Sequence, residues 1–408
     1  MEYVPLRKYY YGDEETYSKV YQERFESTES IKFDFQIAKK PAFFVQCKDV
    51  IDCVYQILRY DKQVQSLIRD LPGKAADQYS RKCLIDEIVL SNKIEGVHSS
   101  RKEISEVLEE LEEKSGAKGK KRRFNGIVTK YFKLLAGEDV PLGTCEDVRI
   151  LYNELVLDEV VAEDPNNMPD GEIFRKDMAE VKSATDKVVH KGVYPERAII
   201  SEMEKALAFL HDDRIDPLYR ICIFHYLLEY IHPFYDGNGR LGRFIASYYI
   251  STELENLLAF RLSETILRNI NAYYDAFETC NDPRNLGDVT PFLIMMLQMI
   301  LESIKELKES LERKKFDWAK YQKMLRNYPN LEKKNVEETY NVLLQAALFS
   351  ECGISTKELQ AVFELSYSSV RNLLQNIPED ILISTKRGRE KYYKLDLSVL
   401  DAATLPGN

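Results

Sequence analysis

The stretch "IHPFYDGNGRLGRF", residues 231–244, breaks a pattern that surrounds it on both sides. Before it runs "YRICIFHYLLEY" and after it "IASYYISTELENLL", both with large apolar residues at helical periodicity. Pro233 steers His232 out of the α region, so the first helix stops there. Gly237 and Gly239 permit backbone conformations closed to other residues, and Asn238 tolerates them better than most. A second helix then begins, with Arg240, Leu241, Phe244, Ile245 and Tyr248 at helical intervals. Its first amides lack partners within the helix and point into the turn. Glycines let an anion approach those amides, and the helix dipole adds roughly half a positive charge there. Arg240 and Arg243, three apart, can flank the same place. The turn reads as a phosphate cradle between two buried helices.

Two further residues give the cradle a chemistry. Asp236 is a hard oxygen ligand beside bound phosphates, which suits Mg²⁺, commonly held by one or two carboxylates plus substrate oxygens. His232 lies at the lip, with an ordinary pKa of about 6.5, where it can take a proton from an attacking hydroxyl. Phosphoryl-type transfer needs these parts: positioning, and neutralisation of developing charge. A glycine-rich corner between helices would explain the GNG alone, but not a base, an acid and paired arginines within twelve residues.

The rest of the chain sets the frame. Its 408 residues suit two or three domains. A net charge of −10 gives no global case for nucleic acid. The N-terminal "MEYVPLRKYYYGDEETYSK" lacks the apolar core of a signal peptide. The best membrane candidate, "PFLIMMLQMILESI", is too short an apolar run and contains Gln298. Seven dispersed cysteines without a CxxC pair read as reduced packing residues in a cytoplasm. Most long segments are helical, "ADQYSRKCLIDEIVLSNKI" and "IISEMEKALAFLHD" among them. The clearest exception before the tail is "EVKSATDKVVHKGVYP", residues 180–195, which predicts a small hairpin or flap.

Two polar stretches divide the chain. "EELEEKSGAKGKKRRFN", residues 109–125, passes from acidic to basic and reads as a solvated connection. Near 312–335 charged helix gives way to Pro329. The expected organisation is a helical region over 1–115, a core over 124–311, and a tail over 335–408.

"HPFYDGNGRLGR" resembles the signature of the Fic family, His-x-Phe-x-Asp/Glu-Gly-Asn-Gly-Arg with another Arg three residues on; every specified position is filled. The resemblance implies a mainly α fold, a helical core over roughly 125–310 with a β-hairpin flap, and transfer of AMP from ATP to a protein hydroxyl. It makes His232 the base and Asp236 the Mg²⁺ ligand. It makes Gly237, Asn238 and Gly239 the cradle for the α- and β-phosphates, with Arg240 nearby and Arg243 on the γ-phosphate. "YYDAFETCN" is similar to the family segment that lines the adenine pocket, which implies Tyr274 and Asn281. The flap would pin the target by pairing with its backbone, a mode with little sequence selectivity.

In "LSNKIEGVHSS", residues 90–100, Ser91 and Glu95 share a helix face, Gly96 is placed to cap it, and Ser100 with Glu103 can open the next helix. By itself this is a corner with a solvated acid. Ser-x-x-x-Glu-Gly is also similar to the inhibitory motif of Fic proteins, which implies an inhibitory helix over about 80–96 with Glu95 set against Arg243.

The tail, three helices and then "ILISTKRGREKYYKL" with Gly388 in its turn, resembles a winged helix. Lys386, Arg387, Arg389, Lys391 and Lys394 line its wing, yet seven basic against ten acidic residues over 335–408 leave a charge of −3. Both DNA and protein contact remain open readings for it. The expected function is a cytoplasmic, autoinhibited protein adenylyltransferase that takes ATP and Mg²⁺, acts on itself or another protein, and is compatible with an oligomer. The alternatives are removal of AMP at the same site, or a nucleotide-sensing regulator that binds DNA.

Overall fold

The computed structural model describes residues 3–113, 122–182, 188–387 and 390–402. It divides into two compact units, Met1–Asp61 with Leu84–Lys305, and Lys62–Cys83 with Glu306–Asn408. The fold is mainly α, with small antiparallel sheets of two, two and three strands among the described residues. No helix of the described residues is long and apolar enough to cross a membrane.

At the centre of the first unit lie the helices Pro217–Ile231 and Asn238–Glu253. Asp216 caps the first by accepting from the Leu218 N–H, with Pro217 in the opening position. Leu218, Ile221, Cys222, Ile223, Phe224, Tyr226, Leu227 and Leu228 are all buried on it. Such a helix is apolar on every side, so its place is the middle of a core rather than its edge. It ends at Ile231, and His232 takes left-handed backbone angles (φ 54°, ψ 62°), which ends the α run as Pro233 requires. Gly237, at φ 81°, then opens the second helix.

The turn between them is fixed by its own side chains. Asn238 accepts from the Phe234 N–H at 3.0 Å and donates to the Phe234 carbonyl at 2.9 Å. Phe234 stacks on Tyr152 with ring centres 3.6 Å apart, and the Tyr152 hydroxyl donates to the Asp236 carbonyl. Tyr152 belongs to the helix Cys145–Leu155, which opens with a capping box between Thr144 and Asp147.

Two hairpins brace this centre. The anticipated flap is present as Glu180–Lys182 paired with Val188–Lys191; residues 183–187 lie outside the described residues. The sequence reading missed the other, Ser30–Ile37 with Lys40–Val45. Its first strand alternates Ile31, Phe33, Phe35 and Ile37, and its two turn residues, Ala38 and Lys39, both have positive φ. The Ala38 N–H donates to the Tyr230 hydroxyl, and Phe44 packs edge-on against Tyr219, so this hairpin lies along the helix that leads to His232.

In the second unit the tail forms the helices Val336–Phe349, Thr356–Phe363 and Tyr367–Leu374, then the strands Leu382–Arg387 and Glu390–Leu395; Gly388 and Arg389 lie outside the described residues. The Glu390–Leu395 strand is central, between Leu382–Arg387 and the short Ile354–Ser355. The polar boundary placed at 312–335 does not separate the tail from what precedes it. Tyr321 and Leu325 belong to the tail's buried core, and Trp318, Met324, Tyr328 and Leu331 pack on it. A charged face at 312–335 hides an apolar face on the same helix, and the division falls at Lys305 instead. The N-terminal region is likewise not one body: Lys62–Cys83 joins the tail, with Tyr79 against Phe349 and Asp70 paired to Lys315.

Candidate active site

The first helical bond of Asn238–Glu253 runs from the Leu241 N–H to the Gly237 carbonyl. The amides of Asn238, Gly239 and Arg240 therefore have no acceptor within their helix and face the turn. The Asn238 side chain is committed to Phe234, so what this residue offers an anion is its backbone N–H. Arg240 and Arg243 are each 1 % exposed. Arg240 Nε has no hydrogen-bond partner, and the charge of Arg240 offsets part of the burial that pushes the Glu159 carboxyl up.

Arg243 is held from a distant part of the chain. Its Nε donates to Ser91 Oγ at 3.0 Å, Nη2 to the Ser91 carbonyl at 3.0 Å, and Nη1 to Glu95 Oε1 at 2.9 Å. Burial opposes the arginine's charge, but Glu95, Tyr273 and Glu229 together outweigh it and hold the guanidinium above its ordinary pKa. Ser91 lies on the helix Ala75–Ile94, and Glu95 follows its end. Gly96, at φ 74°, closes the turn: its N–H donates to the Lys93 carbonyl and that of Val97 to Asn92. The Glu95 carboxylate lies directly over Gly239, where an added Cβ would be 2.1 Å from Oε1. The structure therefore brings Ser91, Glu95, Gly96, Gly239 and Arg243 together across 148 residues of sequence.

His232 is held through its backbone. Arg175, fully buried, donates from Nε to the His232 carbonyl at 2.8 Å and from Nη2 to the Val193 carbonyl at 2.8 Å, with further bonds to Ile231 and Asp177. The flap's stem closes on the same place: the Val193 N–H donates to the Ile231 carbonyl, and the His190 ring meets the Tyr230 carbonyl. Gly192 is required there, because a Cβ would lie 2.4 Å from Arg175 Nη2 and 3.0 Å from His232 Cβ. Burial first, then the charges of Arg175 and His190, pushes the His232 imidazole down to about 3. It is neutral at physiological pH, the form a general base requires. Arg175 and Gly192 were not legible beforehand: a lone arginine in "GEIFRKDMAE" has no partner at a diagnostic spacing.

The remaining predicted residues lie nearby with different degrees of freedom. Asp236, partly exposed in the turn, accepts from the Gly237 N–H at 2.6 Å. Among the described residues no group of three or more His, Cys, Asp or Glu could hold a metal. A single carboxylate beside a phosphate cradle nevertheless fits Mg²⁺, which takes its other ligands from phosphates and water. Tyr274 is 52 % exposed; burial and the Glu95 charge push its phenol up. Asn281 accepts from the Tyr226 hydroxyl at 2.7 Å, so its oxygen is engaged.

A buried helical turn with free amides and two enclosed arginines can receive an anion, and a neutral imidazole stands at its edge. Residues 144–250 match the model of the Fic/DOC family, so this stretch is a Fic domain. Proteins of this family generally transfer AMP or a related nucleotidyl group to proteins. A Fic family protein from Desulfovibrio desulfuricans has the same fold, with a TM-score of 0.51 at 18 % identity over 89 % of this chain and 98 % of that one. Also similar are Fic-1 from C. elegans (18 % identity, 64 % and 74 % covered, TM-score 0.43) and a Fic domain containing signaling protein from Bacteroides thetaiotaomicron (16 % identity, 63 % and 97 % covered, TM-score 0.41).

Proposed function

We propose that this chain is a protein adenylyltransferase restrained by Glu95. His232 Nε2 takes the proton of an acceptor hydroxyl, whose oxygen bonds to the α-phosphorus of ATP. The bond from that phosphorus to the bridging oxygen breaks, and pyrophosphate leaves. The amides at 238–240, with Arg240 and Arg243, receive the charge that develops. Asp236 would hold Mg²⁺, which supplies further charge neutralisation on the phosphates. The flap would align the acceptor segment by strand pairing. The tail is proposed as the module that selects or localises the target, through protein or DNA contact.

The observation that carries the restraint is the engagement of all three donor positions of Arg243 by Ser91 and Glu95. A carboxylate on this guanidinium takes the position a γ-phosphate needs and repels the triphosphate. The test is labelling from α-labelled ATP with Mg²⁺, alone and with lysate. Weak labelling by the parent, strong labelling by Glu95→Gly, and none by Glu95→Gly with His232→Ala would support the reading. No labelling from any of them would overturn it. Release of AMP from a modified protein by the parent, lost in Glu95→Gly, would favour the reverse reaction.

A further inference from the structure

Three residues before His232, at the end of the helix Pro217–Ile231, is a second acid, Glu229, that the proposed chemistry does not use. Its side chain is 16 % exposed, and Oε1 is buried without a hydrogen-bond partner. His232 Nδ1 is also buried and unpartnered, and the two side chains approach to 3.9 Å between Nδ1 and Oε2. The nearby cation, Arg243, is already occupied by Ser91 and Glu95. A buried carboxyl without a partner is costly, and an apolar residue would be cheaper at this position in a core helix. Gly242, on the facing helix, makes room for it: a Cβ there would lie 3.2 Å from Glu229 Oε1 and 3.0 Å from His225 Nδ1.

We infer that Glu229 is a positioning residue for His232, accepting a hydrogen bond from Nδ1–H when the site closes on its substrates and so leaving Nε2 unprotonated toward the acceptor hydroxyl. The inference rests on the transferase reading. The present separation is about 1 Å longer than an ordinary N–H···O bond, a gap that a small side-chain rotation closes. Catalytic hydrogen bonds are often long before substrates bind and tighten afterwards. The groups around Glu229 act in both directions: burial pushes its carboxyl up to about 8, the Glu95 charge adds to this, and Arg243 opposes it. A protonated carboxyl still keeps an acceptor oxygen, so the bond to Nδ1–H is available in either state. A rival acceptor is the Glu229 backbone carbonyl, whose nearness to the His232 ring favours the ring's charged form.

The experiment uses the full chain with ¹⁵N-labelled histidine, the His232 signals being assigned by their loss in His232→Ala. Ring tautomers and transfer kinetics are compared for Glu229→Ala and Glu229→Gln, each in the Glu95→Gly background. Expected for Glu229→Ala is a shift away from the Nδ1–H tautomer and a fall in kcat of about 10–100-fold, the usual cost of losing a group that orients a functional histidine. Its KM for ATP should stay within about twofold, since the phosphate cradle is intact. Glu229→Gln keeps a carbonyl oxygen and should restore both the tautomer and kcat. Parent-like tautomer and kcat in Glu229→Ala would overturn the inference and assign the ring to the backbone carbonyl. Equal loss of kcat in both variants with an unmoved tautomer would reduce Glu229 to packing. If the Glu95→Gly background itself transfers nothing, the transferase reading fails, while the tautomer measurement still decides whether Glu229 holds the ring.

Discussion

Replacing Glu95 by glycine removes one acceptor from Arg243 and leaves the other two in place. Ser91 still holds Nε and Nη2, so the guanidinium keeps its position with Nη1 free. A hydrogen bond to a charged group contributes about 1.5–3 kcal/mol net. Glu95 is 24 % exposed on its side chain while Arg243 is almost wholly enclosed, so water weakens the pair and the lower half of that range applies. At about 1.4 kcal/mol per tenfold, a restraint of this size suppresses transfer by roughly 10–50-fold. The initial rate of AMP incorporation from α-labelled ATP, at saturating Mg²⁺ and acceptor, should rise by that factor in Glu95→Gly. The same variant should unfold about 2–4 °C lower without nucleotide, because that contact of about 1.5–2 kcal/mol is gone and a unit this large loses roughly 2 °C per kcal/mol. A rise below about threefold with every acceptor tested, while ATP binding is retained, would refute the restraint.

Other outcomes follow from neighbouring residues. His232→Ala in the Glu95→Gly background should lower transfer by about 10²–10⁴-fold while isothermal calorimetry still shows ATP binding; near-normal labelling would remove His232 from the base role. Arg243→Ala should be inactive, and the double variant with Glu95→Gly should match it rather than Glu95→Gly, a non-additivity that direct contact explains. The pH dependence of stability should isolate Glu229. Its folded carboxyl is raised to about 8 from an ordinary 4.5, so its contribution is full below about pH 4.5 and is lost as pH climbs to about 8. Urea unfolding should therefore show Glu229→Gln gaining on the parent over that window, by up to about 5 kcal/mol at about 1.4 kcal/mol per pH unit. Parallel curves would show that this carboxyl ionises normally in the fold.

What was legible in the sequence was local. His232, Asp236, the two glycines and the two arginines sit within twelve residues, and proline and glycine fix that turn from next-neighbour sterics alone. Ser91 and Glu95 could be paired with Arg243 only through a family resemblance, because no property of a short helix end specifies a partner 148 residues away. Arg175 was invisible for a related reason: its acceptors are four backbone carbonyls, which any sequence provides. The hairpin at 30–45 had a readable alternation, Ile31 to Ile37, masked by a charged, non-glycine turn at Ala38–Lys39. The boundary near Pro329 misled because polar residues outnumber apolar ones there, although Tyr321, Leu325 and Tyr328 share one packed face.

Gly239 ties the proposed chemistry and its restraint to a single missing atom. With a Cβ at this position Glu95 Oε1 would be 2.1 Å away and Arg243 Nη1 3.0 Å away, and the proposed phosphate seat lies on the same amide. Drift at residue 239 would thus evict the carboxylate and obstruct the nucleotide in one step. No single substitution there can yield a freely running enzyme. A chain that escapes its own brake has to do so from the other half of the contact, at Glu95, whose loss leaves Ser91 holding the guanidinium in place.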